Sequence, residues 1–325
     1  LNRITSAENS SHDEKFEDGF KLEITGKQFM RWVNYYTKEE SLLKFFADGD
    51  APQTRDSLYG AQAYRHDKTL YYGPGLQGEI FAKDELSGVE EVYVSVDGAQ
   101  FQPYKNKLLF NREKEYELSY YAVDKTGYAS QPKPQKFVVD LSPPSVRHKL
   151  HGMNIGDAIS LETQIELISE DNLSGVKTVY YKFDNQADYS VYRGSLISLK
   201  QLPDGAHTLH YYAVDHVGNS GNANDNAEAF HFYLDSEPPT PSISIVGDQY
   251  LTDEKFFVSL RSEVKLEAED NKSGVKSIKY GVNQDRILGY TQPFNIRLGT
   301  GYFTVTYFAE DKFGNVGEKQ KKRFF

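Results

Sequence analysis

Two short blocks recur in the same order three times along the chain, and any fold assigned to it has to accommodate that period. The first reads Asp84-Glu-Leu-Ser87-Gly88-Val89, then Asp171-Asn-Leu-Ser174-Gly175-Val176, then Asp270-Asn-Lys-Ser273-Gly274-Val275. The second reads Tyr120-Tyr-Ala122-Val-Asp124-Lys-Thr-Gly127, Tyr211-Tyr-Ala213-Val-Asp215-His-Val-Gly218-Asn219 and Tyr307-Phe-Ala309-Glu-Asp311-Lys-Phe-Gly314-Asn315. The interval from first to second aspartate is 40, 44 and 41 residues, and Tyr104, Tyr192 and Tyr290 follow the first-block glycine by 16, 17 and 16. Proline-rich seams separate the copies: Asp140-Leu-Ser-Pro143-Pro144, Asp235-Ser-Glu-Pro238-Pro239 and a weaker Asp48-Gly-Asp-Ala-Pro52. Proline fixes φ and lacks an N–H, so it ends strands and stiffens joints. The expected organisation is an N-terminal segment 1–49 and three modules, 50–140, 141–235 and 236–325.

Within a module the hydrophobic period is two. In Tyr116-Glu-Leu118-Ser-Tyr120-Tyr-Ala122-Val-Asp124 one face carries Tyr, Leu, Tyr and Ala, and Phe303-Thr-Val305-Thr-Tyr307-Phe-Ala309 repeats the alternation. One buried and one wetted face describes an antiparallel strand. Val92-Tyr-Val94-Ser-Val96-Asp97-Gly98 reads as a strand entering a hairpin turn. Several short strands per module, bounded by Gly, Asp or Pro, predict an all-β chain of three tandem immunoglobulin-like β-sandwiches.

Composition narrows the function classes. The 325 residues carry a net charge of −10, and the only dense basic run is Lys319-Gln-Lys321-Lys322-Arg323, so no nucleic-acid footprint exists. There is no cysteine, which removes disulfides, thiol nucleophiles and thiolate metal sites. No apolar run reaches the length of about 20 residues that a spanning helix needs. The start, Leu1-Asn-Arg-Ile-Thr-Ser, is polar, so the expectation for an exported protein is that any signal peptide has already been removed.

The D-x-x-S-G-V … Y-x-A-x-D-x-x-G-N pattern resembles bacterial immunoglobulin-like repeats. Its likeness is to modules named after a leptospiral outer-membrane protein (OmpL-type) and common in other bacterial envelope proteins. The resemblance covers about residues 50–325 and departs at Tyr128, which stands where the other copies have Asn219 and Asn315. It implies non-catalytic modules exposed in the envelope or outside the cell. Some naming schemes call that family a β-barrel; the period and module length here favour sandwiches. Ala122, Ala213 and Ala309 stand where a true immunoglobulin domain places a disulfide cysteine.

Residues 1–49 fit the repeat poorly. The first dozen are Ser/Asn/Glu-rich and expected to be mobile. Phe29, Trp32, Val33 and Tyr36 have helical spacing, with a capping-box-like Thr37-Lys-Glu-Glu40. Alternatively, Leu42-Leu-Lys-Phe-Phe46 is the last strand of a partial preceding module, because Phe46-Ala-Asp48 aligns with Val138-Val-Asp140. Both readings stand at this point.

The repeated aspartates are the best candidates for chemistry. Asp84 with Gly88, Asp171 with Gly175, and Asp270 with Gly274 read as side-chain-to-backbone turns. So do Asp124 with Gly127, Asp215 with Gly218, and Asp311 with Gly314. Joined by the linker residues Asp140 and Asp235, they would also offer hard oxygens to Ca²⁺, with Asn222-Ala-Asn224-Asp225-Asn226 nearby. Recurrence in every copy favours the turn role. No metal is assigned, and Asp140, Asp215 and Asp235 are the calcium candidates.

Other motifs read as structural. Gly73-Pro-Gly75-Leu-Gln-Gly78 matches a dinucleotide fingerprint but is followed by a strand pattern, so it is a loop. His148/His151 and His207/His210 would converge on a metal only on a helix, and both lie in strand-like sequence. The Asn172-Leu-Ser174 and Asn271-Lys-Ser273 sequons are by-products of the turn motif. Modules of this size rarely enclose the cleft a glycosidase pair requires, and no catalytic motif is present, so no enzyme is expected. In the pairs Tyr120/Tyr121, Tyr180/Tyr181 and Tyr211/Tyr212 one ring is expected to face outward, which suits a protein- or glycan-binding surface and equally follows from the preference of tyrosine for strands.

The expected function is a non-catalytic, exported envelope or surface protein. It would sit in the periplasm, at the outer membrane or on the cell surface, and act as a semi-rigid spacer that binds a protein partner. The alternative is a carbohydrate-binding accessory region, which outward aromatic rows in one module only would support. A membrane barrel would need an apolar lipid face, and the wet faces here carry Ser, Thr, His and Glu.

Overall fold

The computed structural model describes residues 2–4, 25–222, 227–252, 255–283, 286–295 and 301–325. The described residues are all-β, and no helix among them is long and apolar enough to cross a membrane. The strands form three successive sandwiches.

The first pairs a three-stranded sheet (Gln53–Tyr59, Gln77–Lys83, Leu108–Leu109) with a six-stranded one. The latter runs Ala63–His66, Thr69–Tyr72, Gln135–Val139, Lys114–Asp124, Val89–Val96, Gln102–Pro103. The second repeats both sheets, with Ser145–His151, Gln164–Glu170 and Ile197–Ser198 facing a six-stranded sheet built around Gly205–Asp215. In each six-stranded sheet one pair is parallel: Val138 beside Tyr71 in the first, Leu234 beside Ile159 in the second. The third has Thr240–Val246, Glu263–Glu269 and Phe294–Asn295 opposite a four-stranded sheet around Phe303–Asp311. There the strand Phe256–Val258 meets the chain end, Val258 N donating to Phe325 O at 3.0 Å and Phe325 N to Phe256 O at 2.7 Å.

The alternation seen in the sequence sets these cores. Along Lys114–Asp124 and Gly205–Asp215 every second side chain is buried. Leu118, Leu209 and Val305 occupy the same register and are 0% exposed, as are Ala122, Ala213 and Ala309. A cysteine-free core is therefore closed by small alanines where a disulfide would otherwise stand. Tyr104, Tyr192 and Tyr290 each lean on the core of their own copy. Asp97 (φ 57°) and Gly98 (φ 71°) make the two-residue hairpin turn that requires positive φ at both positions.

In the N-terminal segment the residues with helical spacing form a hairpin. Gly26–Val33 pairs antiparallel with Glu40–Ala47, from Gly26 opposite Ala47 to Val33 opposite Glu40. Thr37, Lys38 and Glu39 of the capping-box stretch lie in its loop, where Asn34 Oδ1 accepts from Tyr36 N at 3.0 Å and Thr37 N at 3.3 Å, and Glu40 opens the second strand. β-Branched and aromatic residues with a partner strand outweigh a short helical spacing. The hairpin has the register of the last two strands of a copy: Gly26 faces Ala47 just before Asp48, as Gly205 faces Leu234 just before Asp235. The expected mobile start, apart from residues 2–4, lies outside the described residues.

The chain forms two compact units. One holds residues 1–143 with the loops 171–175 and 215–219; the other holds 144–170, 176–214 and 220–325.

Candidate functional site: aspartate clusters at the seams

Each first-block aspartate closes its turn with one carboxylate oxygen. Asp84 Oδ1 accepts from Leu86 N (3.1 Å) and Gly88 N (2.8 Å), and Asp171 Oδ1 from Leu173 N (3.0 Å) and Gly175 N (2.6 Å). Asp270 Oδ2 accepts from Lys272 N (3.1 Å) and Gly274 N (2.7 Å). The second-block aspartates do likewise: Asp124 Oδ1 takes Thr126 N and Tyr128 N, Asp215 Oδ1 takes Val217 N and Asn219 N, and Asp311 Oδ1 takes Asn315 N. Gly88, Gly175 and Gly274 have φ of 83°, 83° and 90°, a conformation that excludes most side chains.

The seam aspartates join these turns into clusters. Asp140 Oδ2 accepts from Ser174 N at 2.9 Å and Asp235 Oδ2 from Ser273 N at 2.8 Å, each reaching forward into the first block of the next copy. Asp48 does the same with Ser87 N at 2.9 Å. Three triads result: Asp48/Asp84/Asp124, Asp140/Asp171/Asp215 and Asp235/Asp270/Asp311, each with carboxylate oxygens within 4.8 Å of one another. The calcium candidates therefore fall in two places, Asp140 with Asp215 and Asp235 apart from them. Asp48 is a third seam residue of the same kind, and its alignment with Asp140 was the signal that pointed to it. Residues 223–226 of the Asn-rich stretch lie outside the described residues.

The electrostatics of the triads are unusual. Asp140, Asp215, Asp235 and Asp311 are at most 1% exposed. Among the described residues no lysine or arginine forms an ion pair with any of the nine carboxylates. Burial pushes the Asp140 and Asp235 carboxyls up, hydrogen bonding from Ser174 and Ser273 opposes it, and the neighbouring carboxylates add to the rise. Hydrogen bonding from Ser87 instead holds Asp48 below the usual range.

The asparagines of the second block complete two of the clusters. Asn219 Nδ2 donates to Asp215 Oδ2 (2.7 Å) and to Asp140 O (3.0 Å), and Asn315 Nδ2 to Asp311 Oδ2 (2.6 Å) and Asp235 O (3.3 Å). In the first copy Tyr128 replaces that amide, and the buried Asp124 Oδ2 has no hydrogen-bond partner. Packing around the triads is close. A Cβ on Gly73 would collide with Val217 O, Gln62 Nε2 donates to His216 O at 2.9 Å, and Tyr64 stacks on His216 at 3.9 Å. In the second unit Lys272 pairs with Asp157 at 2.8 Å, and Asn271 Nδ2 donates to Asp204 Oδ2 at 3.0 Å.

The remaining candidates have separate places. Gly73–Gly78 is a loop that enters the strand Gln77–Lys83. His151 Nε2 meets Glu166 at 2.7 Å, while His207 lies between Asp184 Oδ2 (2.7 Å) and Pro203 O (2.9 Å), so neither histidine pair shares a ligand. His148 stacks on Phe230 at 4.0 Å and shares a hydrogen bond with Tyr211 OH at 2.9 Å. Burial lowers its pKa from the ordinary 6.5. The folded protein then binds fewer protons than the unfolded chain as pH falls below 6.5, so this contribution to stability is present above 6.5 and lost below it. Denaturation midpoints compared between pH 7.5 and 5 are expected to fall less in His148→Phe than in the parent. Equal falls would remove His148 as a source of the slope.

Outward tyrosines form rows in two copies. Tyr93 stacks on Tyr121 (5.0 Å) with Phe101 edge-on, and Tyr180 stacks on Tyr212 (5.0 Å) with Tyr189 edge-on. In the third copy the corresponding place holds Lys279 and Phe308. The rows thus do not single out one copy, which is what the carbohydrate-binding alternative called for.

No family model and no curated protein matches the sequence. Among solved structures, one from a 1.5-MDa bacterial ice-binding adhesin is similar at 11% identity, over 85% of this chain and 98% of that one, with a TM-score of 0.39. A tetra-tandem repeat from the extending region of a large adhesion protein is similar at 11% identity over 92% and 81%, with a TM-score of 0.30. The chicken CNTN1 FN1-FN3 domains are similar at 12% identity over 85% and 99%, with a TM-score of 0.25. By its own strand order and cores, the chain is a tandem of immunoglobulin-like β-sandwich repeats.

Proposed function

We propose that this chain is a non-catalytic spacer and protein-binding component of a bacterial envelope or surface protein, made of OmpL-type modules at 50–140, 141–235 and 236–325. The observation that carries the reading is the seam itself. A linker aspartate is bonded to the first-block serine N–H of the following copy in all three places, at 2.8–2.9 Å. Each seam is thereby fastened by a directional bond, buried in two of the three, in addition to its prolines, which suits the semi-rigid joints of a spacer. Freely jointed modules need no such fastening.

The absence of cysteine makes the test clean. Spin labels on the exposed positions Asn106→Cys and Ala187→Cys report the spread of distances between the first and second copies. A narrow distribution is expected, broadening when Asn219→Ala removes the amide that bridges Asp215 and Asp140. A broad distribution in the parent would overturn the semi-rigid reading.

A further inference from the structure

The third seam cluster, Asp235/Asp270/Asp311, has oxygens that the turns do not use. Asp235 is 0% exposed, and its Oδ2 is taken by Ser273 N while its Oδ1 has no hydrogen-bond partner. Asp270 is in the same state: its Oδ2 closes the turn, and its buried Oδ1 has no partner. Asp311, also 0% exposed, brings a third carboxylate within 4.8 Å. An ionised carboxylate oxygen out of water without a donor is costly, and two beside a third carboxylate are more so. The nearby cations do not offset it: Lys272 is engaged with Asp157, and Lys312 lies against Gly274 without an ion pair to the triad.

We infer that Asp235, Asp270 and Asp311 hold a divalent cation, with Asp235 Oδ1 and Asp270 Oδ1 as ligands and an Asp311 carboxylate oxygen as the third. The all-oxygen donor set is that of a hard cation. Calcium fits better than magnesium, because calcium accepts irregular sets of six to eight oxygens, whereas magnesium demands a near-octahedral shell and keeps its waters. The turns and the cation are compatible at Asp235 and Asp270, since each gives one oxygen to a backbone N–H and keeps the other; Asp311, whose oxygens accept from Asn315 N and Nδ2, shares one of them with the ion. The first seam cluster has one such buried, unpartnered oxygen, Asp124 Oδ2, and Asp140/Asp171/Asp215 has no buried one. The Asp235 triad is accordingly the tightest site of the three.

The inference does not rest on the spacer reading, and the two fail separately: calcium binding decides this one, the label distances the other. The test is calorimetric titration of the chelator-stripped chain with CaCl₂ and with MgCl₂, alongside Asp270→Asn. Asparagine keeps an oxygen for Lys272 N and Gly274 N, so the turn survives while the charge is lost. Saturable calcium binding is expected, at least tenfold tighter than magnesium, with a thermal midpoint several degrees higher in excess calcium. Asp270→Asn should fold, retain its midpoint in EDTA, and lose the tightest calcium site. No saturable binding up to millimolar calcium, or a titration that Asp270→Asn leaves unchanged, would overturn the assignment. So would an Asp270→Asn that lowers the EDTA midpoint as much as Asp270→Ala, because the carboxylate would then serve the turn alone.

Discussion

Alanine at Asp215 is expected to destabilise the protein by about 3–5 kcal/mol, measured by denaturant unfolding in EDTA. The carboxylate is 0% exposed and accepts three bonds: Val217 N at 2.9 Å, Asn219 N at 2.8 Å and Asn219 Nδ2 at 2.7 Å. Truncation strands all three donors where water does not reach, and an unsatisfied buried donor costs about 1–3 kcal/mol. Asp215→Asn should lose only about 1–2 kcal/mol, because its Oδ1 still serves the two backbone N–H groups while its amide faces that of Asn219. A loss below about 0.5 kcal/mol for the alanine variant, the size of an ordinary surface substitution, would show that the second-block turn is not a stability element.

The first copy supplies the converse. Tyr128 is 48% exposed and leaves Asp124 Oδ2 without a donor, where Asn219 and Asn315 cap the equivalent oxygen at 2.7 and 2.6 Å. Tyr128→Asn supplies the missing amide and gives up little packing, so a gain of about 1–2 kcal/mol in EDTA follows. Together the two substitutions treat the amide–carboxylate bond as one transferable part, removed from one seam and added to another.

How far the sequence reached differs between the sandwiches and the seams. Strands with period two and a bounded length, such as Lys114–Asp124, were legible because alternate burial writes itself directly into residue type. The turns were legible for a similar reason, since Asp-x-x-Ser-Gly encodes a local bond and a positive φ. The triads were legible only as a pool of seam and turn aspartates; which three meet was not, because the seam member arrives from 34–39 residues earlier, and a bond over that distance leaves no local pattern. Counting Asp140, Asp215 and Asp235 as one set therefore mixed two clusters. The hairpin at 26–47 was ambiguous because Phe29, Trp32, Val33 and Tyr36 satisfy helical spacing by residue type, while the partner strand that decides the matter lies across a loop. Tyr128 was visible as a departure, but its consequence, an uncapped carboxylate, needed the geometry.

Leu209→Ala should cost about 3–5 kcal/mol, with the loss falling unevenly along the chain. Leu209 is 0% exposed in a core that includes Ile165, Leu199, Phe232 and Leu234, each at most 3% exposed, so little can collapse into the space left behind. The cost is that of the lost methyl groups plus the cavity, at the upper end for a leucine that is fully enclosed. Hydrogen exchange is the right probe, because a chain of several cores need not unfold in one step and a single midpoint would average them. Protection should fall through the strands between Ser145 and Asp235 and in the seam turns at 171–175 and 215–219, which follow the strands Gln164–Glu170 and Gly205–Asp215. It should persist in Lys114–Asp124, which belongs to a core of its own around Leu118 and Phe137. Uniform loss from Gln53 to Phe324 would mean that the seams transmit core stability as well as orientation, and the modules would then be one folding unit rather than three.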